Sequence, residues 1–279
     1  MTDPVRLADF EARHLDAAVL LSRAVGWPHR REDWALNLSL GRGVVALDGD
    51  EVVGAAVASF FGASHAAINL VIVDARRRGT GLGWRLTQRA LDYCDGRETR
   101  LVATRDGLAL YEKLGFAVTG RIAQHQAVAH VASEGSAVVW ADATDLPALV
   151  DLDRRATGMD RAALIERLAQ IGRLALLRRD GDVVGFGSLR DFGRGVVVGP
   201  VAARCEATAR MLIAFLLAQR PGEFLRVDVA APDTFSPWLV TLGLPRTGSG
   251  YAMTRAGATP ASARDASIRT YALASQALG

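Results

Sequence analysis

One order of apolar and polar positions occurs twice along the chain, at a constant offset. Leu15–Trp27 and Leu146–Gly158 both space their apolar side chains near a period of 3.6, which predicts two equivalent amphipathic helices. At the same offset, Asp50–Gly54 and Gly181–Gly185 each separate two apolar runs, and their Gly and Asp residues predict hairpin turns. Each half then supplies a strand (67–73; 195–198), a helix (about 82–94; about 206–219), another strand (99–103; 225–230) and a short helix ending at Leu-Gly. One duplicated α/β unit accounts for this order. The small, polar stretch Ala132–Gly135 predicts a linker, with domains at 1–131 and 136–279. A tract rich in Gly, Pro, Ser and Ala over 256–267 reads as a loop before a last strand at about 269–275.

The first half carries a corner that the second lacks. Arg78-Gly79-Thr80-Gly81-Leu82-Gly83 follows a strand of β-branched residues and opens a helix with Leu82, Leu86, Ala90 and Leu91 on one face. Glycines there let backbone N–H groups approach a ligand, and the first turn of a helix presents unpaired N–H groups at the positive end of its dipole. A diphosphate is the expected guest, with Arg76, Arg77 and Arg78 adding positive charge to the nest. The run is not a Walker A loop, having no Lys-Ser/Thr, and its glycine spacing is not that of a dinucleotide fingerprint.

Composition narrows the field further. The 279 residues are 50% apolar and 23% charged, with a net charge of +3, which suits a globular protein and gives no footprint for nucleic acid. Met211–Leu217 is far too short to span a bilayer. The opening residues lack the layout of a secretory signal, and the two cysteines, Cys94 and Cys205, suggest no disulfide framework, so a cytoplasmic location is expected. The five histidines do not stand at metal-ligand spacings, and no metal is expected.

Arg-x-x-Gly-x-Gly after a strand resembles the acetyl-coenzyme A loop of the GNAT superfamily of N-acetyltransferases, over most of residues 5 to 130. Gly49–Val57 is similar to that family's hairpin into its third strand, Ile68–Val73 to its fourth strand, and Leu110–Phe116 to the helix and turn that close its site. The resemblance extends to a subgroup with a second GNAT-like unit. It implies an α+β fold of two such domains in tandem, each a mostly antiparallel, mixed α/β sheet with a splayed central strand pair flanked by helices. It also implies acetyl-CoA as co-substrate, held by Val71, Val73, Arg78, Gly79, Thr80, Gly81, Leu82, Gly83 and Thr104; many members have Asn where Thr104 stands.

The chemistry implied is direct attack of a primary amine on the thioester in a ternary complex. A backbone N–H near Val71 would meet the charge on the carbonyl oxygen, and Tyr111, with an ordinary pKa of about 10 against about 8.5 for a thiol, would protonate the departing thiolate. Candidates for the base are Glu32, Asp33, His65 and Asn69, with a water chain as another route, while Trp27 and Trp34 are candidates for an acceptor pocket. The second half has Glu206 in place of the glycine corner and Leu239 in place of Tyr111, which predicts a catalytically silent copy that closes the acceptor cleft of the first. The acceptor is a small-molecule or peptide amine, and the chain a monomer or homodimer. The alternative is a non-enzymatic acyl-CoA sensor.

Overall fold

The computed structural model describes residues 5–132, 137–230, 232–258 and 264–279. The expected linker falls largely outside the described residues, as does part of the 256–267 tract. In the first half, β1 (Arg6–Asp9), β2 (Gly41–Asp48), β3 (Glu51–Phe61) and β4 (His65–Val73) form an antiparallel run. The helices α1 (Leu15–Ala24) and α2 (Arg31–Ser39) cover one face, and α3 (Leu82–Asp92) the other. Strand β3 shows why. Val52, Ala55 and Val57 point toward α1 and α2, while Val53, Ala56 and Ala58 point toward α3, so both faces are apolar and the residues are small.

The second half repeats the plan. Strands β7 (Val138–Trp140), β8 (Gly172–Arg179), β9 (Asp182–Phe192) and β10 (Gly195–Ala203) are antiparallel neighbours. They lie between α5 (Leu146–Thr157) with α6 (Ala162–Ile171) on one side and α7 (Glu206–Ala218) on the other. The turns sit where the sequence placed them, at Gly49 and at Asp180-Gly181, all three with positive φ.

Two strands cross between the halves. After β5 (Glu98–Ala103) and α4 (Leu108–Lys113), β6 (Ala117–Val128) leaves its own half and pairs with β11 (Phe224–Val229). After α8 (Pro232–Thr241), β12 (Arg246–Arg255) inserts between β5 and β6. One continuous sheet of thirteen strands results, closed by β13 (Arg269–Ala272) near its middle. The sequence reading had no strand at β6 or β12, and the last strand is shorter than expected. No helix of the described residues is long and apolar enough to cross a membrane.

Candidate active site

Strands β4 and β5 run parallel only from His65 opposite Glu98 to Ala67 opposite Arg100, and beyond that they diverge. A bulge then breaks β4: Ala55 faces Ile72 and Val57 faces Asn69, so Leu70 and Val71 share the place opposite Ala56. Leu70 takes a φ of 50°, unusual for a residue with a side chain. The strands therefore open into a wedge whose floor is the irregular backbone at 69–71, the position the sequence reading gave to the Val71 N–H.

Beside the wedge stands the glycine corner. Gly79 and Gly81 carry φ of 76° and 79°, and a Cβ on either would meet nothing within 4 Å, so conformation rather than space demands glycine. Gly81 is the N-cap of α3, no side chain caps that end, and the N–H groups of the first turn lie beyond the reach of the helix's own carbonyls. Thr80 spends its hydroxyl on the carbonyl of Arg77. The charge at the corner is smaller than the sequence suggests. Arg76 is bonded to Asp74 and Glu51, and Arg77 to Asp48, which leaves Arg78 without an ion-pair partner among the described residues.

Tyr111 projects from α4 into an inner cleft of about 250 Å³ at the wedge, shared with Asn69, Leu70, Val71 and Thr104. Its ring packs edge-on against Phe116 at 6.0 Å, and its hydroxyl has no hydrogen-bond partner among the described residues. Burial pushes the phenol up to about 12, above the ordinary value assumed from the sequence, so it stays protonated at neutral pH. The Thr104 hydroxyl accepts from the Gly107 N–H at 3.3 Å and caps the turn before α4. Val73 packs against the Gly83 side of the corner.

The base candidates separate. Asp33 is almost fully buried and is surrounded by donors: the N–H and guanidinium of Arg30, the guanidinium of Arg190 and the N–H of Gly193. It is a tie between α2 and the β9–β10 turn. His65 is fully buried at the far end of β4, 2.9 Å from the Ser64 hydroxyl and away from the cleft lining. Glu32 lies in an outer hollow of about 720 Å³. Asn69 lines the inner cleft, donating to Ser59 at 3.0 Å. Trp34 belongs to the core, with its indole N–H on Ser22, whereas Trp27 lines both hollows.

Several cleft residues had no signal in a single sequence, because the second half supplies them. Phe192, Arg194, Arg226, Ser275, Gln276 and Ala277 complete the lining, together with Gln124 and Gln126 on the crossed strand β6. His29 also lies there, its ring between Trp27 and Phe192 at 5.6 Å from each. Burial pulls its imidazole down to about 4, so it is neutral near pH 7.

The equivalent wedge of the second half is filled by the chain itself. Strands β10 and β11 run parallel from Val196 opposite Leu225 to Val198 opposite Val227 and then part. Into the gap runs β13, with Ala272 opposite both Val201 and Val229. A Cβ on Gly199 would lie 1.9 Å from the Leu273 carbonyl oxygen, so glycine is required for this approach. Glu206 opens α7 and pairs with Arg210, and Leu239 is fully buried.

Parting parallel strands, a bulge in β4 and a glycine-rich helix entry thus occur together in the first half. Residues 11–116 match the model of the acetyltransferase (GNAT) family, and residues 149–268 match a second acetyltransferase (GNAT) domain. The chain therefore belongs to the GNAT acetyltransferases, is an acyltransferase, and carries two such domains in tandem. It is 27% identical over 239 residues to the uncharacterized N-acetyltransferase YitH of Bacillus subtilis, covering 82% of this chain and 83% of that one. It is 28% identical over 190 residues to a holothin acyltransferase of a Pseudoalteromonas species, covering 66% of this chain and 64% of that one. In fold it is similar to a Pyrococcus horikoshii protein assigned as an acetyltransferase (TM-score 0.82, 19% identity, 100% and 97% of the chains covered). It is also similar to a tandem GNAT protein from the clavulanic acid biosynthesis pathway (TM-score 0.60, 14% identity, 92% and 100% covered).

Proposed function

We propose that the first half transfers an acetyl group from acetyl-CoA to a primary amine by direct attack, and that the second half is catalytically silent. The observation that carries this reading is the pairing of one open wedge, beside an uncapped glycine corner, with one wedge that β13 fills. The pyrophosphate of the cofactor would take the N–H groups from Gly79 to Gly83 and the guanidinium of Arg78. Val71 and Val73 would line the pantetheine arm and Thr104 the acetyl end.

In the cleft, the bulge at Leu70 and Val71 turns backbone toward the developing oxyanion, where a fixed N–H is worth more than a mobile water. Tyr111 is the proton donor to the thiolate. Its raised pKa does not defeat that role, since the same desolvation raises the pKa of a thiolate placed beside it. Among the described residues no carboxylate lines the inner cleft, so the amine's proton leaves through water in the adjoining outer hollow. The domain division at 131 and 136 belongs to the same proposal, with β6 and β12 exchanged across it.

The test is thiol release from acetyl-CoA over a panel of amines. Turnover above background with at least one amine is expected. A sensor would bind cofactor and release nothing, which would overturn the reading.

A further inference from the structure

The inner cleft has a definite electrical character. Among the described residues lining it there is no Asp or Glu, His29 is neutral, and the Arg226 guanidinium is matched by fully buried Asp228 at 2.9 Å. Arg194, on the β9–β10 turn, has no ion-pair partner among the described residues and stands exposed where the inner cleft meets the outer hollow. Its guanidinium lies 5.9 Å over the Phe224 ring, and no carboxylate among the described residues is paired with it. The outer hollow brings Glu32, and also Asp16, which Arg31 already neutralises at 3.0 Å.

A chain of side-chain amides adds direction. Asp228 can only accept, so Gln276 turns its NH₂ group to that carboxylate at 3.2 Å and to the Gln124 carbonyl oxygen at 3.1 Å. Gln124 in turn donates to Gln126 at 2.9 Å. The NH₂ of Gln126 is left as a donor at the end of the chain. At the floor of the wedge the polarity reverses. Ser59 gives its one proton to the Asn37 carbonyl, so Asn69 must donate to Ser59, and the Asn69 Oδ1 is buried with no partner among the described residues. The lining thus holds an unpartnered acceptor, the buried Asn69 Oδ1 beside the β4 bulge, and donors with a positive charge farther out.

We infer that the acceptor is a small amine bearing a carboxylate, of the amino-acid type, with its nitrogen on the Asn69 side and its carboxylate held by Arg194 and the Gln126 amide. The inference rests on the acetyltransferase reading above. An amine N–H satisfies Asn69 Oδ1, and a carboxylate satisfies a guanidinium and an amide N–H. A second cation, as in a diamine or an aminoglycoside, would meet Arg194 with no carboxylate in the inner cleft to receive it. Arg194 is then a specificity-determining residue that the silent half lends to the active one.

The experiment compares matched acceptors by thiol release: free amino acids, their amides and methyl esters, and diamines of equal length. The acids are expected to exceed their amides at least tenfold in kcat/KM. Arg194→Gln should remove most of that ratio through the acceptor KM rather than kcat, and Arg194→Glu should turn the preference toward diamines. Equal use of acid and amide, or a preference that survives both substitutions, overturns the inference while leaving the acetyltransferase reading intact. No turnover with any amine overturns that reading and this inference together.

Discussion

Tyr111 is the side chain on which the chemistry converges. Because its hydroxyl has no partner among the described residues, Tyr111→Phe removes a proton without orphaning a neighbour, and the fold should be unaffected. A loss of about 10²–10³ in kcat is expected, with the acetyl-CoA KM little changed, from the usual worth of a positioned acid. Steady-state thiol release measures it; an unchanged kcat would remove Tyr111 from the mechanism. The pH profile follows from the same residue. With the phenol near 12 the donor stays loaded, so kcat/KM should climb as the amine loses its proton and show no descending limb below about pH 10. His29 supplies a stability prediction. Its folded value near 4 lies below its ordinary 6.5, so the unfolded chain gains a proton first, and the stabilisation present above pH 6.5 is lost as pH falls toward 4. His14, His65 and His125 are lowered in the same direction, also by burial. Melting temperature measured from pH 7.5 to 4.5 should fall, and fall less in His29→Asn; a flat curve would contradict this. Tyr111 was legible from its motif, whereas His29 was one polar residue among several in a loop, and only the fold sets it between Trp27 and Phe192.

At the scale of elements, the glycine corner and the β9–β10 turn carry the account. Gly81 is exposed with open space around it, so Gly81→Ala lets the loop relax out of its left-handed conformation instead of unfolding the half. Rebuilding the loop around cofactor would then cost about 1–2 kcal/mol, roughly a tenfold rise in the acetyl-CoA Kd with little change in melting temperature. The turn depends on Asp33. Arg190 is buried with it, and burial pulls that guanidinium down to about 10, still charged at neutral pH. Asp33→Asn would leave Arg190 without its counter-charge and should destabilise the protein by about 3–5 kcal/mol, read by denaturant unfolding. Asp33 acting as a base would instead show as lost turnover in a fold of undiminished stability. The hairpins were readable from apolar runs parted by Gly and Asp, α3 from apolar residues on one face after a glycine entry, and β4 from its β-branched run. Strands β6 and β12 escaped because Gly120, Gln124 and Gln126, and Gly248 and Gly250, interrupt their patterns, and both lie between partners from the other half.

For the whole molecule, duplication has produced two wedges with opposite fates. One stays open and gains Gln124, Gln126, Arg194, Arg226 and Gln276 as lining. The other receives β13, whose backbone pairs with both parting strands. That the second half lacks the glycine corner was plain from its sequence; that its gap is closed by the chain's own later segment was not, since strand pairing over such a separation leaves no local pattern. Calorimetric titration of acetyl-CoA into the intact protein and into Gly81→Ala tests this division most directly. One molecule should bind per chain, with affinity about tenfold weaker in the variant. Two molecules per chain, none at all, or one bound with affinity that the substitution leaves untouched would contradict it.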